Sequence, residues 1–256
     1  MQNQFVLSPF FLDQPFLAAE RLAFPDWTIN KPALPGENQL ARMSVVYRHL
    51  SDIVADTVKS GYRPVSLSGD CCATIGVLAG LQRAHVKPML VWLDAHGDFN
   101  TRETSPSGFV GGMPLAMIVG RGDQTLMQAV ALAPLPEKDV VLINARDLDP
   151  GERESLQQSK VNHVTDISSV NGYLAPERPI YVHLDVDVID AQEAPAMMYP
   201  VKGGPSLISL CEMAAHLAST GRVIAVSMTL WELQSDEDRH TERASMALFN
   251  ALLGRD

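Results

Sequence analysis

Val91-Trp92-Leu93-Asp94-Ala95-His96-Gly97-Asp98 is a hydrophobic run that ends in three side chains able to bind metal, at alternate positions. A second run closes on His183-Leu184-Asp185-Val186-Asp187 and repeats the pattern with two carboxylates. In an extended chain residues i, i+2 and i+4 share a face, so each strand is expected to aim its ligands at one point. Two such strands side by side would make a site for two cations. Carboxylates in excess over a single imidazole suit hard or borderline divalent ions such as Mn(II) better than a lone Zn(II). The pattern points to a binuclear metallohydrolase.

Outward from these two runs, apolar segments bounded by turn residues recur at 64–69, 88–94, 139–145, 179–187 and 222–232, rich enough in Val, Ile and Leu to read as buried strands. They alternate with helical patterns at 39–59, 72–84, 206–219 and 237–253, with Gly221 and Gly254 as C-terminal stops. This order predicts an α/β fold of three layers, a central parallel sheet with helices on both faces. Ligands of such sheets bind beyond the carboxyl ends of the strands. Asp70-Cys71, Asp94 to Asp98, Arg146 to Asp149, Asp185 to Asp187 and Glu232 all fall at such ends.

The chain has 256 residues, 46% of them hydrophobic. That is enough for a large core in a single domain spanning 1–256. A net charge of -10 with no compensating Lys/Arg cluster argues against nucleic acid or an anionic membrane as partner, and leaves small molecules. No apolar stretch reaches the length of a membrane span, and the start Met1-Gln2-Asn3-Gln4 lacks the basic character of a secretion signal, so a cytoplasmic location is expected. Cys71, Cys72 and Cys211 are an odd set with two adjacent members, poor material for disulfides.

These residues resemble the ureohydrolase family, which includes arginases, agmatinases and formimidoylglutamases. Asp94-Ala95-His96-Gly97-Asp98-Phe99-Asn100-Thr101 is similar to its central signature, Asp185-Val186-Asp187-Val188-Ile189-Asp190 to its second, and Ser68-Gly69-Asp70-Cys71-Cys72 to an altered Gly-Gly-Asp-His-Ser motif. The resemblance covers roughly residues 64–232 and implies an arginase-like fold holding two Mn(II) ions. One ion would be bound by Cys71, Asp94, Asp98 and Asp185, the other by Asp94, His96, Asp185 and Asp187, with Asp94 and Asp185 bridging. It also implies hydrolytic attack on the sp2 carbon of a guanidino or formimidoyl group. Asp98 would serve in catalysis as well as binding metal, and Glu232 would receive the guanidinium.

The resemblance extends to an amino-acid substrate. Asp149 and Glu152, in Asn144-Ala145-Arg146-Asp147-Leu148-Asp149-Pro150-Gly151-Glu152, would hold its α-ammonium group, though the same pair also reads as a helix N-cap with an acid in the first turn. Asn100, Ser105 and Ser107 would bind its α-carboxylate; the two serines equally suit an ordinary turn.

Three positions depart from the arginase pattern. Cys71 replaces a histidine ligand, so a thiolate joins four Asp carboxylates and lowers the Lewis acidity of the ions; the helix starting near Cys72 would help keep it ionised. Gly111 stands where arginase has a proton-shuttling histidine, and general acid help is worth about 10²- to 10⁴-fold. Tyr199 puts a phenol where the family carries a hydroxyl; it would bind or protonate substrate, or narrow the pocket. Met197 and Met198 read as packing residues, and His183 as a hydrogen-bonded core histidine.

The first two departures together resemble the hydroxyarginine-hydrolysing ureohydrolases of D-cycloserine biosynthesis, an antibiotic pathway. An N-hydroxyguanidine is far less basic than a guanidine, so it can bind neutral and needs less external acid. The expected reaction converts Nω-hydroxy-L-arginine to hydroxyurea and L-ornithine. Arginase, agmatinase or formimidoylglutamase activity is the alternative, and a non-catalytic metal-binding relative a further one. The short stretch after Glu232 favours a monomer over a trimer.

Overall fold

The computed structural model of the protein describes every residue except Glu37 and Asp256. Its strands are β1 (Asn3–Ser8), β2 (Phe10–Phe11), β3 (Gln14–Pro15), β4 (Thr28–Ile29), β5 (Arg63–Ser68), β6 (Met89–Leu93), β7 (Val140–Ile143), β8 (Asn162–Val164), β9 (Ile180–Leu184) and β10 (Val223–Thr229). The helices are α1 (Gln39–Lys59), α2 (Ala73–Arg83), α3 (Pro114–Ile118), α4 (Thr125–Ala129), α5 (Pro150–Gln157), α6 (Leu207–Ser219) and α7 (His240–Leu253). Eight strands form one sheet in the order β4-β1-β5-β10-β9-β6-β7-β8, and every pair in it is parallel. The five strands expected from the sequence make its centre. The outer strands β1, β4 and β8, of which β4 and β8 are the edges, are additions, because their short or partly polar segments carry little hydrophobic signal.

Alternation along the central strands divides their side chains between two cores. Leu90 and Trp92 of β6 and Tyr181 of β9 pack with α1, α2 and α3. Val91, Leu93, Ile180, Val182 and Leu184 pack with α6 and α7 on the other face. Each strand is therefore apolar on both sides, as a covered parallel sheet requires, and the three-layer expectation holds. Close packing of α1 on α2 depends on small residues: a Cβ at Gly80 would stand 2.7 Å from the Ser51 carbonyl oxygen and 2.6 Å from Val54.

Register brings the central strand ends level. Leu93 pairs with Leu184, Met228 with Leu184, and Thr229 with Ser68. Bonding continues one step past the strands, since Asp185 N–H donates to the Leu93 carbonyl at 2.8 Å and Leu230 N–H to that of Ser68 at 2.8 Å. Asp94, Asp185 and the Gly69-to-Cys72 turn thus emerge side by side at one edge. No helix among the described residues is long and apolar enough to cross a membrane.

Candidate metal centre

The ligands converge by a route other than strand alternation. β6 stops at Leu93 and β9 at Leu184, so Asp94 and Asp185 are the first residues beyond each strand. The other acids are placed by tight loops. The Asp185 side chain accepts the Asp187 N–H at 3.0 Å and caps a single 3-10 turn, Val186–Val188, that carries Asp187. Asp98 reaches its place through a left-handed backbone, φ 49°, a conformation Asp tolerates better than most residues. Gly97 leaves room for neighbouring side chains: a Cβ there would lie 2.6 Å from Glu152 Oε1 and from Leu148, and both would have to shift.

Two overlapping groups of ligand atoms result, Cys71/Asp94/Asp185 and Asp94/His96/Asp187, each with its atoms within 4.8 Å of one another. Cys71 Sγ lies 2.9 Å from Asp185 Oδ2 and 3.9 Å from Asp94 Oδ2. His96 Nδ1 lies 3.0 Å from Asp187 Oδ2 and 3.5 Å from Asp94 Oδ1. Asp98 belongs to neither group; it lines the same cavity, with a buried Oδ2 that has no hydrogen-bond partner among the described residues. Sharing of Asp94 by both groups is what two ions at neighbouring sites need. Donors outside the cluster fix the carboxylates: Trp92 Nε1 donates to Asp94 Oδ2 at 2.9 Å, and Ala95 N–H to Asp187 Oδ1 at 3.0 Å.

Electrostatics of the cluster favour cations. Burial raises Asp94, Asp98, Asp185 and Asp187 above the ordinary carboxylate range, and their mutual repulsion adds to it; Asp185 is pushed up to about 7. Burial opposes the charge on His96, yet its hydrogen bonds to Asp187 and Asp94 prevail and carry it up to about 12. Four desolvated acids around one imidazole and one thiol form a donor set that compensates for its own repulsion by binding positive charge. The residues fit a pair of divalent ions. For Cys71 the expected help from the α2 N-terminus is outweighed: burial, then Asp185, Asp98 and Asp94, push the thiol well above its usual value. Cation binding, not the helix, must displace its proton.

The cluster floors a cavity of about 330 Å³ whose walls include Asn100, Ser105, Ser107, Asp149, Glu152 and Tyr199. Five of these form the polar side expected from the sequence. Asn100 Nδ2 donates to Asp149 Oδ2 at 2.9 Å, while Asp149 and Glu152 make a capping box at the start of α5. Glu152 also accepts the Phe99 N–H at 2.8 Å, and burial pushes it up to about 7 against those backbone donors. Capping and a place on the cavity wall coexist in both residues. Ser105 and Ser107 lie 3.4 Å apart and accept the N–H groups of Gly108 and Phe109, so they serve the turn too.

Glu232 is a correction. Thr229, Leu230 and Trp231 line the cavity, and Glu232 is not among its walls; its N–H donates away, to the Ala196 carbonyl at 2.9 Å. β10 ends at Thr229, earlier than expected, and Leu230 and Trp231 follow it on the cavity wall. Met198 is a second correction, 47% exposed on the rim while Met197 is buried. Tyr199 is also at the rim, 51% exposed, its ring 6.3 Å from that of His96. His183 is buried and neutral, burial lowering it to about 3, with Nδ1 3.0 Å from Thr74 Oγ1 and 2.8 Å from Ser227 Oγ. Sequence reasoning missed Phe11 and Phe109, which line the cavity; two phenylalanines in loops carry no signal of their own.

The arginase family model matches residues 33–254 of this chain. The arginase of Bacillus subtilis is 31% identical over 245 residues, covering 90% of this chain and 83% of its own length. That of Bacillus caldovelox is 34% identical over 241 residues, covering 86% and 79%. The crystal structure of Bacillus cereus arginase superposes with a TM-score of 0.85 at 26% identity, covering 100% of this chain and 99% of that one. The sequence match, the shared fold and a cluster that would hold two ions agree: the chain belongs to the arginase family, hydrolases of C–N bonds in linear amidines.

Proposed function

We propose that the protein is a two-manganese amidinohydrolase that converts Nω-hydroxy-L-arginine to hydroxyurea and L-ornithine. The observation that carries this reading is the cavity lining at Gly111, which offers no acid for the leaving amine. A neutral N-hydroxyguanidine is more readily attacked and needs less external acid than a protonated guanidine, although the amine expelled, the ornithine side-chain nitrogen, is the same from both. The thiol of Cys71 in the ligand set points the same way, since an electron-rich site is better matched to an activated amidine.

When bound, the pair of ions supplies a nucleophile from water near neutral pH and polarises the amidine. The protein's own groups do the rest. Asn100, Asp149 and Glu152 meet the amino-acid end, the two acids taking the α-ammonium and Asn100 with the serines the α-carboxylate. Asp98 keeps one buried oxygen free of protein donors, an acceptor for the proton released as the nucleophile adds. Tyr199 and Phe109 narrow the mouth and limit entry of bulk water, which strengthens each electrostatic contact inside.

L-Arginine is the second reading, favoured by the arginases at 31% and 34% identity. Side-by-side turnover with defined Mn(II) separates the two. Hydroxyurea and ornithine from hydroxyarginine should form faster than urea from arginine, because the amidine carbon is more readily attacked while the amine expelled is the same. Equal rates, or faster urea release, would establish the arginase reading instead.

A further inference from the structure

We propose that Phe109 is a specificity-determining residue, its ring filling the space into which a side chain at position 111 would project and lining that wall of the cavity with carbon. The inference rests on amidine hydrolysis at this site and adds a residue to it. Local geometry accounts for the placement. Phe109 is extended, φ -68° and ψ 118°, and leads into the 3-10 turn Val110–Gly112; its carbonyl accepts the Gly112 N–H at 3.2 Å. The turn folds residue 111 back under the ring. A Cβ built on Gly111 would stand 2.3 Å from Phe109 Cε1 and 2.5 Å from Cζ, so no larger residue fits there while the ring keeps its position.

The ring is also held from both sides. Phe11 stacks on it with centroids 6.4 Å apart and planes at 18°, and Tyr199 lies 6.0 Å away at 54°, separations within the range of favourable aromatic pairs. Phe11 in turn belongs to a segment pressed on the Cys71 turn: Gly69 N–H donates to the Phe10 carbonyl at 2.9 Å. Glycine at 111 and phenylalanine at 109 therefore form one unit. An acid introduced at 111 displaces the ring instead of gaining the position from which it could serve a leaving amine. Changing the reaction towards basic guanidines requires both residues to change.

The test is a cycle of variants on the Mn(II)-loaded protein, with two independent readouts. In thermal melts, Gly111→Ala should lower the midpoint by about 3 °C or more, as overpacking does in a chain of this size, and should cost at most about 1 °C when Phe109→Ala or the milder Phe109→Leu is already present. In turnover, Gly111→His alone should leave urea release from arginine within about threefold of the unmutated protein, while Phe109→Ala/Gly111→His should raise it at least about tenfold. Equal melting penalties in both backgrounds, or as much gain from Gly111→His alone as from the pair, would overturn the proposal. Inertness of the unmutated protein towards both amidines would overturn the proposed function, and the melting cycle would then decide this packing claim by itself.

Discussion

A single side chain, Cys71, sets the character of the centre. It is buried against Asp185 and Asp94, and those acids with Asp98 keep its proton in place. Binding of a cation there must expel that proton. Replacing Cys71 by Ala is expected to reduce bound manganese from two ions per chain towards one at micromolar Mn(II), read by elemental analysis of the dialysed protein; retention of both would remove the sulfur from the ligand set. Glu152 gives a pH prediction of definite sign. Its folded value of about 7 lies above the ordinary value of 4.5, so its contribution to stability is fully present below pH 4.5 and is lost as pH rises towards 7. Glu152→Gln should flatten the fall in melting temperature across that window, and an unchanged slope would show that the carboxyl is not held protonated. Residue by residue, the sequence made the ligands legible because acids and an imidazole ending an apolar run are rare by chance. It misplaced Glu232 because β10 stops at Thr229, three residues before the expected end, and strand ends carry no such mark.

Elements place these side chains through a few fixed joints. Arg146 is the main one: its guanidinium donates to the carbonyls of Asp187 at 3.1 Å, Val188 at 3.2 Å and Val201 at 2.8 Å, and to Asn144 Oδ1 at 2.7 Å. It ties the loop after β7 to the long segment between β9 and α6 that carries Asp187 and Tyr199. Arg146→Ala should destabilise the fold by about 3 kcal/mol, the effect of leaving several acceptors without a charged donor, and should weaken manganese binding at the same time; urea unfolding with metal titration measures both. Loss of stability with intact metal affinity would confine Arg146 to a structural role. Gly80 makes the corresponding joint in the α1–α2 layer, and Gly80→Ala should cost about 1–3 kcal/mol through overpacking against Val54 and Ser51. The helices were legible from their apolar spacing. The joints were not, because an arginine bonded to carbonyls 41 to 56 residues away leaves no local pattern.

The whole molecule is a parallel sheet between two hydrophobic cores, with its chemistry at the carboxyl edge of the central strands. That arrangement explains how a chain of net charge -10 concentrates four buried acids at one point: the cores hold the strand ends rigidly, and the repulsion is left for cations to relieve. Manganese should therefore raise the melting temperature in a concentration-dependent way, and a chelator should reverse the shift. The fold class was readable from the order of apolar runs and helical patterns, whereas the edge strands were not, since strands of two or three residues take their conformation from their neighbours. The measurement that bears most directly on the account is anomalous scattering at the manganese edge from crystals of the loaded protein. Two peaks are expected, both against Asp94, one of them bonded to Cys71 Sγ and the other to His96. A single peak, or a sulfur turned away from both, would contradict it.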